Sequence, residues 1–173
     1  MNTAPIVACI PALRRYARAL TGDAWAADDL VQDTLERACA KWRLWRVGSD
    51  LRAWLFTIMH NVWLNQVRQA RQAPPRGALV DIDDAAQELR APEAEPGLLI
   101  DLQRCLLQLP QEQRAVLLLA ALEDFSYDEI AKVLAIPAGT VMSRLSRART
   151  RLAELMDGGQ TPAPARPQLR RLK

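Results

Sequence analysis

The chain has 173 residues, half of them apolar and a quarter charged, with a formal net charge of +3. This composition is typical of a soluble protein with one or two small cores. No apolar run approaches the roughly 18–20 residues that cross a bilayer, and the candidate at 115–122 is far too short, so we expect no direct membrane insertion.

Neither the first residues nor the cysteines indicate export or a metal. The N-terminal stretch has no basic segment before its apolar residues, so it does not resemble a signal peptide and we expect a cytoplasmic protein. Cys9, Cys39 and Cys105 are scattered without C-x-x-C spacing, and with the single His60 they form no plausible zinc set. We expect buried, reduced cysteines, no metal and no cofactor.

The first part of the chain predicts three helices, because apolar residues recur there at helical spacing. They are expected over 6–20, 24–46 and 51–71, and Asp50 is suitably placed to cap the third. These helices predict a first domain over 1–72.

A change of composition follows at 73–96. This segment contains several prolines, few large apolar side chains and many more acidic than basic residues. Such a composition does not form its own core, so it predicts a flexible linker.

Helical patterns resume after the linker and predict a second domain over 97–157. Its helices are expected over 97–108, 111–122, 127–134 and 140–156. Ser126 and Glu129 have the spacing of a capping box, and residues 135–139 read as a turn. The basic, proline-rich tail at 158–173 is expected to be disordered. The predicted fold is therefore all-α, with two small helical domains joined by a flexible acidic linker.

The last two helices of the second domain outline a helix-turn-helix. On the final helix one face is apolar, and we expect it to be buried. It comprises Val141, Leu145, Ala148, Leu152 and Leu155. A second face carries Thr140, Ser143, Arg144, Arg147 and Arg151. The basic face is either a solvated helix surface or a reader of the DNA major groove, and the preceding turn favours the reader.

The first domain holds most of the aromatic residues, interleaved with arginines. Trp54 and Phe56 are two positions apart, so a helix does not direct both into one core, and we expect at least one ring at a surface. Flat rings beside basic side chains are typical of sites for unstacked bases, although ordinary core packing remains the alternative. The stretch 28–37, DDLVQDTLER, is either a solvated helix face or a docking surface for a partner helix.

Three stretches together resemble the extracytoplasmic-function (ECF) group of bacterial sigma factors. DDLVQDTLERA is similar to the helix of that family that binds core polymerase, and LRAWLFTIMHN looks like its promoter-melting and −10 recognition segment. The stretch 109–152 resembles its −35-binding domain over its whole length. The three matches occur in the family's order and are separated by a linker of the expected kind.

The resemblance implies a role for particular residues. Contacts with the clamp helices of the polymerase β′ subunit are implied for Leu30, Gln32 and Asp33. Contacts with the −10 element are implied for Arg52, Trp54, Phe56, Asn61, Arg68 and Arg71, with Asn61 helping to bind a flipped base. Contacts with the −35 element are implied for Thr140, Ser143, Arg144, Arg147 and Arg149. Met142 and Ser146 depart from residues common in the family, so the −35 base preference does not carry over.

The resemblance also implies the partners: core RNA polymerase through β′ and the β flap, promoter DNA, and an anti-sigma factor. The implied function is an alternative sigma factor that directs initiation at promoters with particular −35 and −10 elements. A helix-turn-helix regulator acting without core polymerase is the alternative, but the upstream half has no pattern of a ligand or receiver domain. An enzyme is not expected, since there is one histidine, no phosphate-binding loop and no catalytic constellation.

Overall fold

The computed structural model describes residues 4–45, 49–72 and 96–159, and within these ranges every regular element is helical. The predicted linker, apart from its last residue, and the tail from residue 160 onward lie outside the described residues. The elements are α1 (Ala4–Thr21), α2 (Ala24–Ala40), a 3₁₀ turn (Trp42–Leu44), α3 (Leu51–Gln72), α4 (Pro96–Gln108), α5 (Gln111–Ala121), α6 (Tyr127–Leu134) and α7 (Ala138–Gly159). The all-α prediction is confirmed.

The second helix is shorter than predicted. It ends at Ala40 instead of 46, where the Lys41 N–H donates to the carbonyls of Arg37 and Cys39. The chain then tightens into the 3₁₀ turn and becomes extended at Trp45. This turn brings the Trp45 ring to 5.0 Å from that of Trp42, centroid to centroid. Aromatic packing here overrides the helical pattern of the sequence.

Side-chain caps set two of the helix starts where the sequence predicted them. Asp50 Oδ1 accepts from the Ala53 N–H at 3.1 Å, directly before α3. Ser126 Oγ accepts from the Glu129 N–H at 3.3 Å, and Glu129 Oε2 accepts from the Ser126 N–H at 2.7 Å, which completes the capping box of α6. Both caps satisfy backbone donors that have no partner within the helix.

The turn between α6 and α7 differs from its prediction. Ala135 takes the left-handed conformation with φ of 52°, and the Ile136 N–H donates to Ala131 O at 3.0 Å. The final helix begins at Ala138, two residues earlier than predicted, so Gly139 lies within it. An alanine therefore occupies the left-handed position that favours glycine elsewhere.

The buried faces largely follow the predicted stripes. Val141, Leu145 and Ala148 are buried as expected, whereas Leu152 and Leu155, predicted for the same stripe, are only half-buried. The cysteines are unpaired, but only Cys105 is buried as expected: Cys9 is half-buried and Cys39 is exposed. Within the described residues no helix is long and apolar enough to cross a membrane, and no three metal-ligating side chains cluster.

The two helical halves, α1–α3 and α4–α7, pack against each other and share one hydrophobic core. α1 lies against α4 and α5, and α3 lies against α6. Phe56 of α3 sits between Tyr16 of α1 and Phe125 of the second half, with both ring pairs edge to face at 5.3 Å. This packing could not be predicted from the sequence, because neither half alone shows which of its faces meets the other.

Candidate nucleic-acid interface

The helix-turn-helix formed by α6 and α7 exposes two arginines of α7 on different sides of the helix. Arg147 and Arg149 are both exposed and lie two positions apart, and Met142, which is 56% exposed, lies two turns before Arg149. Thr140 is half-buried, and the Ser143 hydroxyl donates to Thr140 O at 3.1 Å. Exposed guanidinium groups on the second helix of a helix-turn-helix are suited to phosphates or guanine edges.

Arg144 is engaged differently from the other arginines of this helix. Its Nη2 lies 2.8 Å from Glu112 Oε2 on α5, and its side chain is only 24% exposed. Arg144 therefore ties α7 to α5 in this conformation, so a contact with DNA requires it to exchange Glu112 for a phosphate or base.

α3 carries an open polar stripe. Asn61, Asn65 and Arg68 are exposed and lie at spacings of four and three, which places them on one side of the helix. Further along, the Arg71 Nη2 donates to Gln111 Oε1 of α5 at 3.0 Å. The stripe combines amide groups that bind base edges with a cation that binds phosphate.

The aromatic residues predicted for the −10 contact are not freely exposed. Trp54 is half-buried and packs edge to face on Trp42, with centroids 6.4 Å apart. Phe56 is 0% exposed. The expectation of a ring at the surface assumed one core beneath α3. The second half covers another face of the helix, so Phe56 is buried on that side.

Arg52 faces the second half of the molecule. Its Nη2 donates to Glu123 Oε2 at 2.6 Å and to Glu123 O at 2.7 Å, and its guanidinium lies 4.6 Å from the Phe125 ring centroid. In this conformation a residue predicted to bind DNA is held by an acidic residue and an aromatic ring of the same chain.

The residues predicted to bind core polymerase lie along α2 but differ in exposure. Leu30 is 0% exposed, so it supports the helix from the interior and offers no contact surface in this conformation. Gln32 is exposed and donates to Glu36 Oε1 at 3.1 Å. Asp33 is half-buried and accepts from Gln66 Nε2 of α3 at 3.1 Å.

Gln32 borders a groove of about 580 Å³ between α1 and α2. The apolar lining comes from Ile10, Val31 and Leu35, and the remaining lining residues are Arg14, Asp28, Gln32, Glu36 and Cys39. A groove with an apolar lining and charged groups beside it is suited to an amphipathic helix of a partner.

Two residues that connect the halves were not found from the sequence. Glu123 is fully buried, although acidic residues are rarely buried and nothing in its neighbours signals this. Arg114 is also buried, and its Nη1 donates to Leu20 O at the end of α1 at 2.8 Å. His60, for which the sequence predicted no metal site, is also buried, on α3, and burial together with the Arg144 charge lowers its pKa to about 4.

Two family models match the chain, one for each half. The model described as the Sigma2 domain of PhyR matches residues 6–60, and that of Sigma-70, region 4 matches residues 99–152. The first covers most of α1–α3, and the second contains the helix-turn-helix.

The chain is similar over nearly its whole length to curated and solved proteins. It is 36% identical to the ECF RNA polymerase sigma factor EcfG of Rhodopseudomonas palustris over 167 residues, covering 92% of this chain and 88% of that protein. The ECF RNA polymerase sigma factor SigM of Mycobacterium tuberculosis is 34% identical over 144 residues, with 83% and 71% covered. The solved structure of the sigma factor RpoE of Bartonella quintana, in complex with the anti-sigma factor NepR, superposes with a TM-score of 0.74 at 33% identity, over 90% of this chain and 96% of that one.

Proposed function

The chain belongs to the extracytoplasmic-function RNA polymerase sigma factors, and we propose how its surfaces carry out that function. It acts as an alternative sigma factor: it joins core RNA polymerase and directs initiation to particular promoters. The family regulates transcription, and we propose that this chain itself makes and breaks no covalent bond. The protein binds core polymerase and promoter DNA, orients the DNA and separates its strands. We propose that it does so in the cytoplasm, where core polymerase and DNA are found.

The −35 element is assigned to the open face of α7. Arg149 is exposed on another side of the helix, where it suits a phosphate. On the assigned face Arg147 is exposed and suits a guanine edge or a phosphate, while Thr140 and Ser143 lie on the same face nearer the start of the helix. Arg144 joins them once it leaves Glu112. The exposed Met142 lies on the same helix, where a thioether offers no charge to a phosphate.

The −10 element is assigned to α3. Asn61 holds a flipped base through its amide, Arg68 and Arg71 hold neighbouring phosphates, and Trp54 supplies a ring against the melted strand. Unstacking a base costs roughly a few kcal/mol, which a pocket with ring stacking of about 1–3 kcal/mol per base offsets. Arg52 and Phe56 contribute only after the two halves separate, because both lie in the interface between them.

Core polymerase is assigned to the groove between α1 and α2. The apolar lining and the adjacent polar side chains of Gln32 and Glu36 match a partner helix with one apolar face, as the β′ clamp helices would provide. Leu30 and Asp33 hold this surface in shape from within. We place the β flap on the second half, so that the enzyme holds the halves apart on its surface.

An anti-sigma factor is the third proposed partner. The RpoE structure with which this chain superposes is a complex with the anti-sigma factor NepR, and a second solved relative, CnrH, is in complex with the cytosolic domain of CnrY at 26% identity and a TM-score of 0.65. We propose that a protein of this kind binds the present chain and holds it away from core polymerase.

The observation that carries the proposed function is the presence of both sigma halves in order, together with a match that spans 88% of the EcfG sigma factor. The test is run-off transcription with bacterial core polymerase over a library of promoter fragments. We expect transcripts from a subset that shares −35 and −10 elements. The helix-turn-helix alternative predicts binding to duplex DNA without core polymerase and no transcripts above core enzyme alone.

A second candidate function follows from the model that matches the first half, which describes a domain of PhyR. PhyR is named an anti-anti-sigma factor in a solved structure whose 18% identity to this chain shows the fold alone. On that function the chain would bind an anti-sigma factor and never activate polymerase. Transcripts in the run-off assay would exclude it.

A further inference from the structure

In the described part of the interface between the halves, the carboxylate of Glu123, two residues beyond the end of α5, is fully buried. Two arginines of the first half converge on it. Arg15 donates to Oε1 through Nε at 3.1 Å and Nη2 at 2.8 Å, and Arg52 donates to Oε2 through Nη2 at 2.6 Å. The Glu123 side chain is 0% exposed, whereas those of Arg15 and Arg52 are 43% and 38% exposed.

The backbone and the rings around this carboxylate reinforce the contact. Arg15 Nη2 also donates to Leu122 O at 3.0 Å, and Arg52 Nη2 also donates to Glu123 O at 2.7 Å. The Arg52 guanidinium lies over the Phe125 ring. A buried carboxylate with charged donors on both oxygens is stable as a set, and removing one member leaves a buried charge without full compensation.

These contacts engage Arg52, a residue that the proposed function assigns to DNA binding. The Glu123 carboxylate holds Arg52 in the way that a phosphate group would, with a short charge-assisted hydrogen bond. Phe125 lies edge to face against Phe56, a second residue assigned to the −10 contact. The segment Glu123–Phe125 thus covers Arg52 and Phe56 from within the same chain, on a face of α3 other than the exposed stripe that carries Asn61.

We propose that Glu123, Arg15 and Arg52 form an intramolecular latch that keeps the free sigma factor closed and must break before the chain can grip a promoter. The inference rests on the proposed function, because it assigns Arg52 and Phe56 to the −10 element. Arg15 has a different status from Arg52: its only assigned task is to hold the latch closed.

A second group of contacts favours the same closed arrangement. Arg114 Nη2 donates to Leu107 O at 2.7 Å and to Leu109 O at 3.1 Å, while Nη1 donates to Leu20 O on the other half. At the end of α1, Gly22 leaves room for the side chain of Leu107, which a Cβ would meet at 2.5 Å. These contacts hold the two halves in register. The latch differs from them because Glu123 competes with DNA for Arg52.

With a latch of this kind, the apparent affinity for core polymerase equals the intrinsic affinity multiplied by the fraction of molecules that are open. Hydrogen bonds to charged groups are strong enough that losing one or two shifts such an equilibrium about tenfold. Weakening the latch should therefore improve binding to the polymerase, although it removes contacts from the free protein. If Glu123 only stabilised the fold, its substitution would weaken binding to the polymerase. The latch predicts the opposite effect.

The first measurement uses the chain alone. Small-angle X-ray scattering compares the wild type with Arg15→Ala, Glu123→Gln and Arg15→Lys. Arg104→Ala is the control, because Arg104 is an exposed arginine paired with Asp101 on its own helix.

We expect a larger radius of gyration for Arg15→Ala and Glu123→Gln at unchanged helical circular dichroism, and wild-type values for Arg104→Ala. Arg15→Lys keeps the charge and should remain more compact than Arg15→Ala. If Arg15→Ala and Glu123→Gln are helical and as compact as the wild type, there is no latch.

The second measurement is the concentration of sigma factor that gives half-maximal run-off transcription with a fixed amount of core polymerase. We expect it to fall about tenfold for Glu123→Gln and in the same direction for Arg15→Ala, with no change for Arg104→Ala. Expansion without this fall overturns the proposed competition. If the wild type gives no transcripts, the proposed function fails, while the scattering result still decides whether the latch exists.

Discussion

The rings of Phe56 and Phe125 meet edge to face across the two halves of the molecule, with centroids 5.3 Å apart and planes inclined at 76°. Both side chains are buried, so this pair joins the core of α1–α3 to that of α4–α7. Such a pair contributes beyond the area that it buries. It explains why two segments with separate family matches fold here into one packed body.

The first prediction concerns the stability that Phe125 provides. Phe125→Ala should lower the free energy of unfolding by about 3–5 kcal/mol, because it removes a buried ring and leaves a cavity. Urea denaturation followed by circular dichroism measures this loss. The control is Tyr127→Ala, an aromatic residue two positions later that is 42% exposed and should change the value by only about 0.5 kcal/mol. Equal losses for both variants would contradict the packing described here.

The second prediction concerns pH. Burial and the Arg144 charge lower the pKa of His60 to about 4 in the folded protein, below the value of about 6.5 expected when unfolded. His60 is therefore neutral in the folded protein above about pH 4. Above pH 6.5 it is mostly neutral in the unfolded protein too, so the titration of His60 has little effect on the free energy of unfolding there. As the pH falls from 6.5 toward 4, the unfolded state takes up a proton that the folded state does not, and stability is lost.

Between pH 7 and pH 5 this loss should amount to about 2 kcal/mol. Urea denaturation at the two pH values measures it. In His60→Gln, which carries no titrating group at this position, the difference between the two values should shrink by about the same amount. An unchanged difference would show that His60 titrates normally in the folded protein.

The third prediction concerns Gly22, whose φ is +74°. Gly22→Ala should lower the free energy of unfolding by about 1–3 kcal/mol, because an alanine at positive φ is strained and its Cβ would meet Leu107 at 2.5 Å. Gly139→Ala is the matched control. Gly139 lies within α7 with nothing within 4 Å of its added Cβ, so alanine there should stabilise the protein by about 0.5–1 kcal/mol. Thermal denaturation of the two variants should move in opposite directions.

The fourth prediction tests the −10 assignment at Asn61. Asn61→Ala should weaken open-complex formation by about 1–3 kcal/mol, the value of a specific amide contact with a base, and leave the affinity for core polymerase unchanged. Permanganate footprinting of melted thymines measures the first and a pull-down of core enzyme the second. Gln108→Ala removes an exposed amide at the end of α4, outside the proposed DNA surface, and is the control that should open promoters normally. Loss of core binding in Asn61→Ala would contradict the assignment.

The fifth prediction tests the −35 assignment at Arg147. If the Arg147 guanidinium contacts a base, Arg147→Ala should weaken binding to the −35 element by about 1–3 kcal/mol and reduce −35-dependent transcription accordingly. The measurement compares run-off transcripts from a promoter with and without its −35 element. Arg104→Ala removes an exposed arginine from α4, outside the proposed DNA surface, and should leave this ratio unchanged. The same response from both variants would place Arg147 on a solvated face.

Much of the helical structure could be predicted from local features of the chain. Asp50 and the pair Ser126–Glu129 cap helices as expected, and the stripe from Val141 to Ala148 is buried. Capping and periodicity involve residues within a turn or two of each other, so the sequence carries them directly. The early end of α2 was missed because rings of Trp42, Trp45 and Trp54, which come from separate segments, determine the path of the chain there.

The sequence by itself determined the all-α class, the helix-turn-helix and the family, because these follow from periodicity, caps and ordered matches along the chain. Only the tertiary structure decided that Phe56 is buried, that Glu123 is enclosed and that Arg52 is paired with it. The contacts of Glu123 with Arg52 and Arg15 join residues 71 and 108 positions apart. Exposure and charge pairing depend on which surface covers a helix, and that is decided when the two halves meet.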